Sequence, residues 1–102
     1  MTEQRELIYD WNTVNAPAKP AHPVAVHDET LRDGIQGPSV RDPEIDIKLR
    51  FLHLVNQLGV GSIDLGLPGA GPRAAEHVER LAEEIRDRRL GIKALCAART
   101  LE

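Results

Sequence analysis

Apolar residues along this chain fall into three short runs separated by two longer periodic stretches. Val24-Ala25-Val26 is a continuous apolar run that gives way to His27-Asp28-Glu29-Thr30-Leu31-Arg32-Asp33-Gly34, the pattern of a buried strand feeding a polar loop. After the turn-rich Gly37-Pro38-Ser39, a helix start is legible: Asp42 as N-cap, Pro43 at the first helical position and Glu44 in the first turn. The helix runs to Leu58 and stops at Gly59. It is apolar on two sides, one stripe being Ile45, Leu49, Leu52 and Val55 and the other Ile47, Phe51, Leu54 and Leu58. A surface helix needs one stripe, so two predict burial against a sheet and against a further element or subunit.

Ser62-Ile63-Asp64-Leu65 reads as a second strand, ending at Gly66-Leu67-Pro68-Gly69-Ala70-Gly71. The second helix opens at Pro72 and runs to about Arg89, with Ala75, Val78, Leu81, Ala82 and Ile85 inward. Glu76 before Arg80 and Glu84 before Arg88 are in the favourable order for helix ion pairs. Gly91 ends it, and Ile92-Lys93-Ala94-Leu95-Cys96-Ala97-Ala98 is a third strand, with Cys96 expected to be a buried inert thiol.

The order strand, helix, strand, helix, strand predicts an α/β unit of three parallel strands with two right-handed crossover helices, spanning residues 24–102. Residues 1–23, with Pro17, Pro20 and Pro23, read as an irregular N-terminal arm. Its Leu7, Ile8, Tyr9 and Trp11 either dock on a larger body or belong to a loosely ordered terminus.

Composition narrows the class. At 102 residues there is one domain at most, and 41% apolar residues suffice for a core. With 13 Lys+Arg against 16 Asp+Glu the chain is mildly acidic, which disfavours nucleic acid and anionic membranes as partners. No apolar run reaches the roughly 18–20 residues of a membrane span, and no secretory signal opens the chain, so a cytoplasmic protein is expected. One cysteine excludes an internal disulfide and a Cys-based zinc site.

In parallel α/β units chemistry gathers beyond the carboxyl ends of the strands. There the chain places Asp28, Glu29, Arg32, Asp33 and Gln36 after the first strand, Asp64 at the second, and Arg99 and Thr100 after the third. Carboxylates beside arginines suit a hard divalent cation and an anionic substrate, although charged loop residues are also ordinary solvated surface. The spacing Asp28-x-x-x-Arg32-Asp33-Gly34 sets a cation beside a metal-type carboxylate directly after an apolar run.

Residues 27–36, His-Asp-Glu-Thr-Leu-Arg-Asp-Gly-Ile-Gln, resemble the D-x-T-L-R-D-G-x-Q signature of the DRE-TIM metallolyases. This family comprises the 2-isopropylmalate, homocitrate and citramalate synthases and, more distantly, hydroxymethylglutaryl-CoA lyase. Leu58-Gly59-Val60, Ser62 to Pro68 and Lys93 to Arg99 extend the resemblance over roughly residues 24–100, the isopropylmalate synthase branch being the nearest. The resemblance implies the β-α-β-α-β start of a TIM (β/α)8 barrel and a metal-dependent Claisen condensation of acetyl-CoA with a 2-oxo acid, 2-oxoisovalerate in leucine biosynthesis. It implies Asp33 as a ligand of Mg2+, Mn2+ or Zn2+, and Arg32 as the group meeting the developing alkoxide. Arg32, Gln36, Asp64, Arg99 and Thr100 are implied as substrate-binding residues. Three positions depart from the pattern: Asp64 stands where Glu is usual, Ile35 where Glu is common, and Glu29 where the synthases commonly carry Thr.

Such a barrel needs about 250 residues, and the family completes its metal site with a His-x-His pair. His22, His27, His53 and His77 form no such pair. His27 adjoins the signature, while His53 and His77 read as surface or boundary residues. Two expectations follow. In one, the chain is an incomplete, inactive portion of a synthase that forms a homo-oligomer or associates with the missing barrel portion. In the other, it is a non-catalytic interaction module that uses its two-sided helix and open sheet edge.

Overall fold

The computed structural model describes residues 22–99, so Thr100 and nearly all of the N-terminal arm, including Leu7 to Trp11, lie outside the described residues. Strand β1 (His27–Asp28), helix α1 (Ile45–Gln57), strand β2 (Ser62–Asp64), helix α2 (Pro72–Asp87) and strand β3 (Lys93–Leu95) follow in the expected order. Short 3-10 turns at Asp33–Ile35 and Pro68–Ala70 lie in the two loops that follow β1 and β2. The strands form one parallel sheet in the order β1-β2-β3, with His27 opposite Ser62 and Ser62 opposite Lys93.

Ile63 is completely buried against the helices, where it meets Leu52 of α1 and Leu81 of α2 in a core completed by Leu31, Val55, Leu65 and Ile92. Fully burying a side chain of this size stabilises the fold by about 1.5–3 kcal/mol. Alternation along β2 therefore turns Ser62 and Asp64 to the other face of the sheet. Gly59 ends α1 at φ +83, the left-handed conformation that favours glycine.

Several boundaries differ from the sequence reading. The first strand is His27–Asp28 rather than Val24-Ala25-Val26: pairing begins where the Val26 carbonyl accepts from the Gly61 and Ser62 amides, and Val24 and Val26 are exposed. Helix α1 starts at Ile45, with Glu44 as N-cap, because the Asp42 carboxylate is held by Lys48 and Arg73 instead of capping. Ile47, Leu54 and Leu58 of its second stripe are exposed. On α2, Ala75 and Ala82 face solvent and His77 is buried in their place. The helix pairs Arg80 with Glu84, and Glu84 also meets His53 of α1. The left-handed residue after α2 is Arg89, not Gly91. β3 is only three residues long, which leaves Cys96 beyond it and exposed.

Candidate functional site

The loop after β1 is built from the local chemistry of its own residues. The Asp28 carboxylate accepts from the Thr30 amide (3.0 Å) and hydroxyl (2.9 Å), an Asx-type turn. The Glu29 carbonyl then accepts from the amides of Arg32, Asp33 and Gly34, closing a tight turn that seats Leu31 in the core. With Leu31 fixed, Arg32 projects across the sheet towards β2.

There its Nε donates to two carboxylates, Glu29 Oε2 at 3.1 Å and Asp64 Oδ2 at 2.9 Å, while Nη2 lies 3.3 Å from Asp33 Oδ1. Asp64 is almost fully buried, and its other oxygen accepts from the Gly66 amide at 3.0 Å. Glu29 is fixed in turn: His27 Nε2 stands 2.6 Å from its Oε1. The hydrogen bond from His27, reinforced by Arg32, holds the Glu29 carboxyl below the usual carboxylate range. Pairing first with Glu29 and then with Asp33 and Asp64 raises the Arg32 guanidinium further above its ordinary value. The result is a guanidinium held ionised between anions at the carboxyl ends of the strands.

Beside it lies a cavity of about 200 Å³ lined by Arg32, Gln36, Lys48, Asp42, Leu67 and Ala74, among others. Lys48 is 4% exposed, and its Nζ meets Asp42 Oδ1 at 2.8 Å. Arg73 of α2 donates to Asp42 Oδ2 and to the Pro43 carbonyl, both at 3.0 Å. This node ties the end of the β1–α1 loop to both helices. Sequence reading missed Lys48, yet its spacing to Leu52 and Val55 puts it on the buried stripe of α1.

Arg32, Asp33 and Asp64 of the sequence-identified set are thus brought together, and Gln36 shares the cavity. Arg99 is exposed, its aliphatic stem beside Gly69, and is not part of this cluster. Among the described residues no three His, Cys, Asp or Glu side chains are close enough to hold a metal ion. Asp33, with an exposed carboxylate, is a suitable hard-oxygen donor but only one, and hard cations need several. The described residues therefore do not fit a complete cation site.

Comparison with known proteins adds an independent line. The chain is 43% identical over 79 residues to the homocitrate synthase AksA of Methanopyrus kandleri, covering 76% of this chain and 18% of that protein. It is 36% identical over 72 residues to the 2-isopropylmalate synthase of Thermosynechococcus vestitus (71% and 13%). It is 42% identical over 60 residues to the (R)-citramalate synthase of Streptomyces coelicolor (59% and 11%). The chain thus spans less than a fifth of the length of these relatives. No family profile and no solved structure matches it. No helix among the described residues is long and apolar enough to cross a membrane.

Proposed function

From a chain homologous to the N-terminal portion of the DRE-TIM synthases, we propose that these residues serve an acyltransferase-type condensation of acetyl-CoA with a 2-oxo acid, 2-oxoisovalerate being the first candidate. The observation that carries this reading is Arg32, clamped by Glu29 and Asp64 and adjacent to Asp33 at the strand ends. A guanidinium whose Nε is occupied by carboxylates keeps a fixed orientation and is a preorganised partner for a developing alkoxide. One such donor is worth about 2.7–4 kcal/mol in a transition state.

In this reading Gln36, Asp64, Arg99 and Thr100 contribute to substrate binding. Asp33 would hold one coordination position of a divalent cation, Mg2+, Mn2+ or Zn2+, and such a cation would supply Lewis-acid polarisation of a keto group. The three parallel strands are one sector of a (β/α)8 barrel, and turnover requires the rest of a barrel, which the 102-residue chain alone does not supply. The exposed Ile47, Leu54 and Leu58 of α1 support contact with that remainder or with a second copy. A cytoplasmic location accords with these chemistries.

A chimera tests the reading. Residues 24–99 replace the corresponding segment of the Thermosynechococcus 2-isopropylmalate synthase, and CoA release is followed with acetyl-CoA, 2-oxoisovalerate and Mg2+ or Mn2+. Turnover is expected, with Arg32→Ala lowering kcat by roughly 10²–10³-fold. A folded chimera that releases no CoA with any 2-oxo acid refutes the condensation. Turnover by the 102-residue chain alone refutes the need for a remainder. For the α1 stripe, Leu54→Ser with Leu58→Ser is expected to lower the sedimentation mass of the chain to that of a monomer. A wild-type chain already monomeric at micromolar concentration removes the second-copy arrangement.

A further inference from the structure

The loop that carries Arg32, Asp33 and Gln36 is held in two different ways along its length. From Glu29 to Gln36 its backbone is tied to itself: the Glu29 carbonyl accepts from three amides, and the Gln36 amide donates to the Asp33 carbonyl at 3.4 Å. Beyond Gln36 that support ends. Among the described residues, the one backbone–backbone bond made between Gly37 and Pro43 runs from the Val40 amide to the Gly37 carbonyl, within the segment itself. Pro38, Ser39, Val40 and Arg41 are exposed, so apolar packing does not fix this half of the loop either. What attaches it to the body is a node of side chains at its end. Asp42 Oδ1 is 2.8 Å from Lys48 Nζ of α1, and Asp42 Oδ2 is 3.0 Å from Arg73 Nε of α2. Arg73 also donates to the Pro43 carbonyl at 3.0 Å.

We propose that Asp42, Lys48 and Arg73 are positioning residues that set the gap between Gln36 and Arg32; what the gap serves, the seating of a 2-oxo acid, rests on the condensation proposed above. Arg32 is fixed from the strand side by Glu29 and Asp64. Gln36 has no such side-chain clamp and is exposed, so its place depends on how the rest of the loop is anchored. Arg32, Gln36, Asp42 and Lys48 border one cavity of about 200 Å³, which puts the node and the two groups it positions around the same space. A misplacement of about 1 Å between a binding group and the reacting centre can cost about 10²-fold in rate.

Every group in this arrangement lies on the β1–α1 loop, on α1 or on α2, and none lies on the sheet face turned away from the helices. Lys48 is buried on the stripe of α1 that carries Leu52 and Val55. A residue that only filled that space would be apolar, since replacing a buried ion pair by apolar side chains of similar volume is often neutral or stabilising. The ammonium supplies direction instead: it fixes where the loop ends. Arg73, in the first turn of α2, supplies the second point, so the loop after β1 is referenced to the helix after β2. Lys48→Met separates position from stability, because methionine fills the buried site and gives Asp42 no cation.

The test has two parts, and the first needs no turnover. In the full chain, NMR amide relaxation is expected to give order parameters of about 0.85 for Ser39, Val40 and Arg41, falling below about 0.6 in Lys48→Met with Arg73→Gln. Leu31 to Gly34 should keep their wild-type values in the same variant, because the Glu29 carbonyl holds them. The second part uses the chimera, where Lys48→Met is expected to raise KM for the 2-oxo acid by roughly 10–10²-fold. A merely structural loss would lower the amount of active enzyme, and so kcat, without moving KM. In a Gln36→Ala background Lys48→Met should add nothing, since the node acts through Gln36. Unchanged order at Ser39 to Arg41 overturns the proposal, and so do KM effects of Lys48→Met and Gln36→Ala that simply multiply. If the wild-type chimera releases no CoA, the condensation fails and the order parameters alone decide the positioning. If a variant at Lys48 does not fold, Arg73→Gln, at a half-exposed side chain, carries both measurements.

Discussion

Asp42→Asn is the sharpest probe of how the loop after β1 is held. In the native chain Asp42 pairs with two cations, Lys48 Nζ at 2.8 Å from Oδ1 and Arg73 Nε at 3.0 Å from Oδ2. Burial pushes its carboxyl up, but the hydrogen bonds from Lys48 and Arg73 outweigh it and hold the carboxyl below its ordinary value. The substitution removes the anion while Lys48, 4% exposed, stays inside. Breaking a fully buried pair costs about 3–5 kcal/mol, and an exposed pair is worth about 0–1 kcal/mol. Asp42 is 37% exposed, so the cost falls between these limits, near 2 kcal/mol. For a domain of this size that is a fall in Tm of roughly 8–16 °C. Lys48→Met should cost less, because the remaining carboxylate keeps Arg73 and the methionine suits the site. The double variant should lie close to Lys48→Met. Urea unfolding followed by circular dichroism at pH 7 measures all three. A cost for Asp42→Asn below that of Lys48→Met would refute the argument that Asp42 neutralises a buried cation. So would a double variant that loses the sum of the two.

Two further substitutions test other parts of the fold. His77 is buried, and burial together with Lys48 and Arg73 lowers its pKa below 6.5, against the opposing pull of Asp42 and Glu44. The folded chain therefore binds this proton less readily than the unfolded chain, so His77 leaves stability intact above pH 6.5 and erodes it as pH falls below; His77→Leu should flatten the urea midpoint over that acid limb, and an unchanged slope would count against the assignment. Gly66→Ala should cost about 1–3 kcal/mol in the same assay, since Gly66 has φ +137 and a Cβ there would lie 3.2 Å from Val78 Cγ2; a neutral effect would show that the β2–α2 turn relaxes freely.

The order of elements was readable because their physical signals are local. Proline and glycine punctuate both helices, and the runs between them have a single plausible period. Ile63, Leu52 and Leu81 were legible as core for the same reason. What failed to show depended on partners distant in sequence. Asp42 has the composition of an N-cap, but a cap hydrogen bond is weaker than two cations, one of them 31 residues away. His77 reads as surface in isolation, although its spacing to Leu81 puts it on the inward face of α2. Val24 and Val26 have strand chemistry, yet the pairing that defines β1 begins with the Val26 carbonyl and continues along His27 and Asp28. Arg32, Asp33 and Asp64 were found because a motif and a strand end fixed them; the Ser62–His27 contact was not, because it spans 35 residues with no motif.

The same distinction bears on the two acidic positions at which the chain departs from the synthase pattern. Read singly, Asp64 is a shortened carboxylate that puts the orientation of Arg32 in question, and Glu29 is an extra charge in a loop. In the folded chain they act on one atom: Arg32 Nε donates to both. The short arm of Asp64 suffices because its second oxygen is anchored by the Gly66 amide, which fixes the carboxylate at the strand end. Glu29 supplies the second anion that shares the Arg32 Nε hydrogen, and its remaining oxygen is occupied by His27. A threonine at position 29 offers a hydroxyl on a shorter side chain and no charge, so it could not hold both partners. Two apparent departures thus form one connected arrangement, His27–Glu29–Arg32–Asp64, that keeps the guanidinium oriented. Glu29→Gln removes one of the two anions on Arg32 Nε and is expected to lower kcat in the chimera, and a kcat equal to that with Glu29 would refute the clamp.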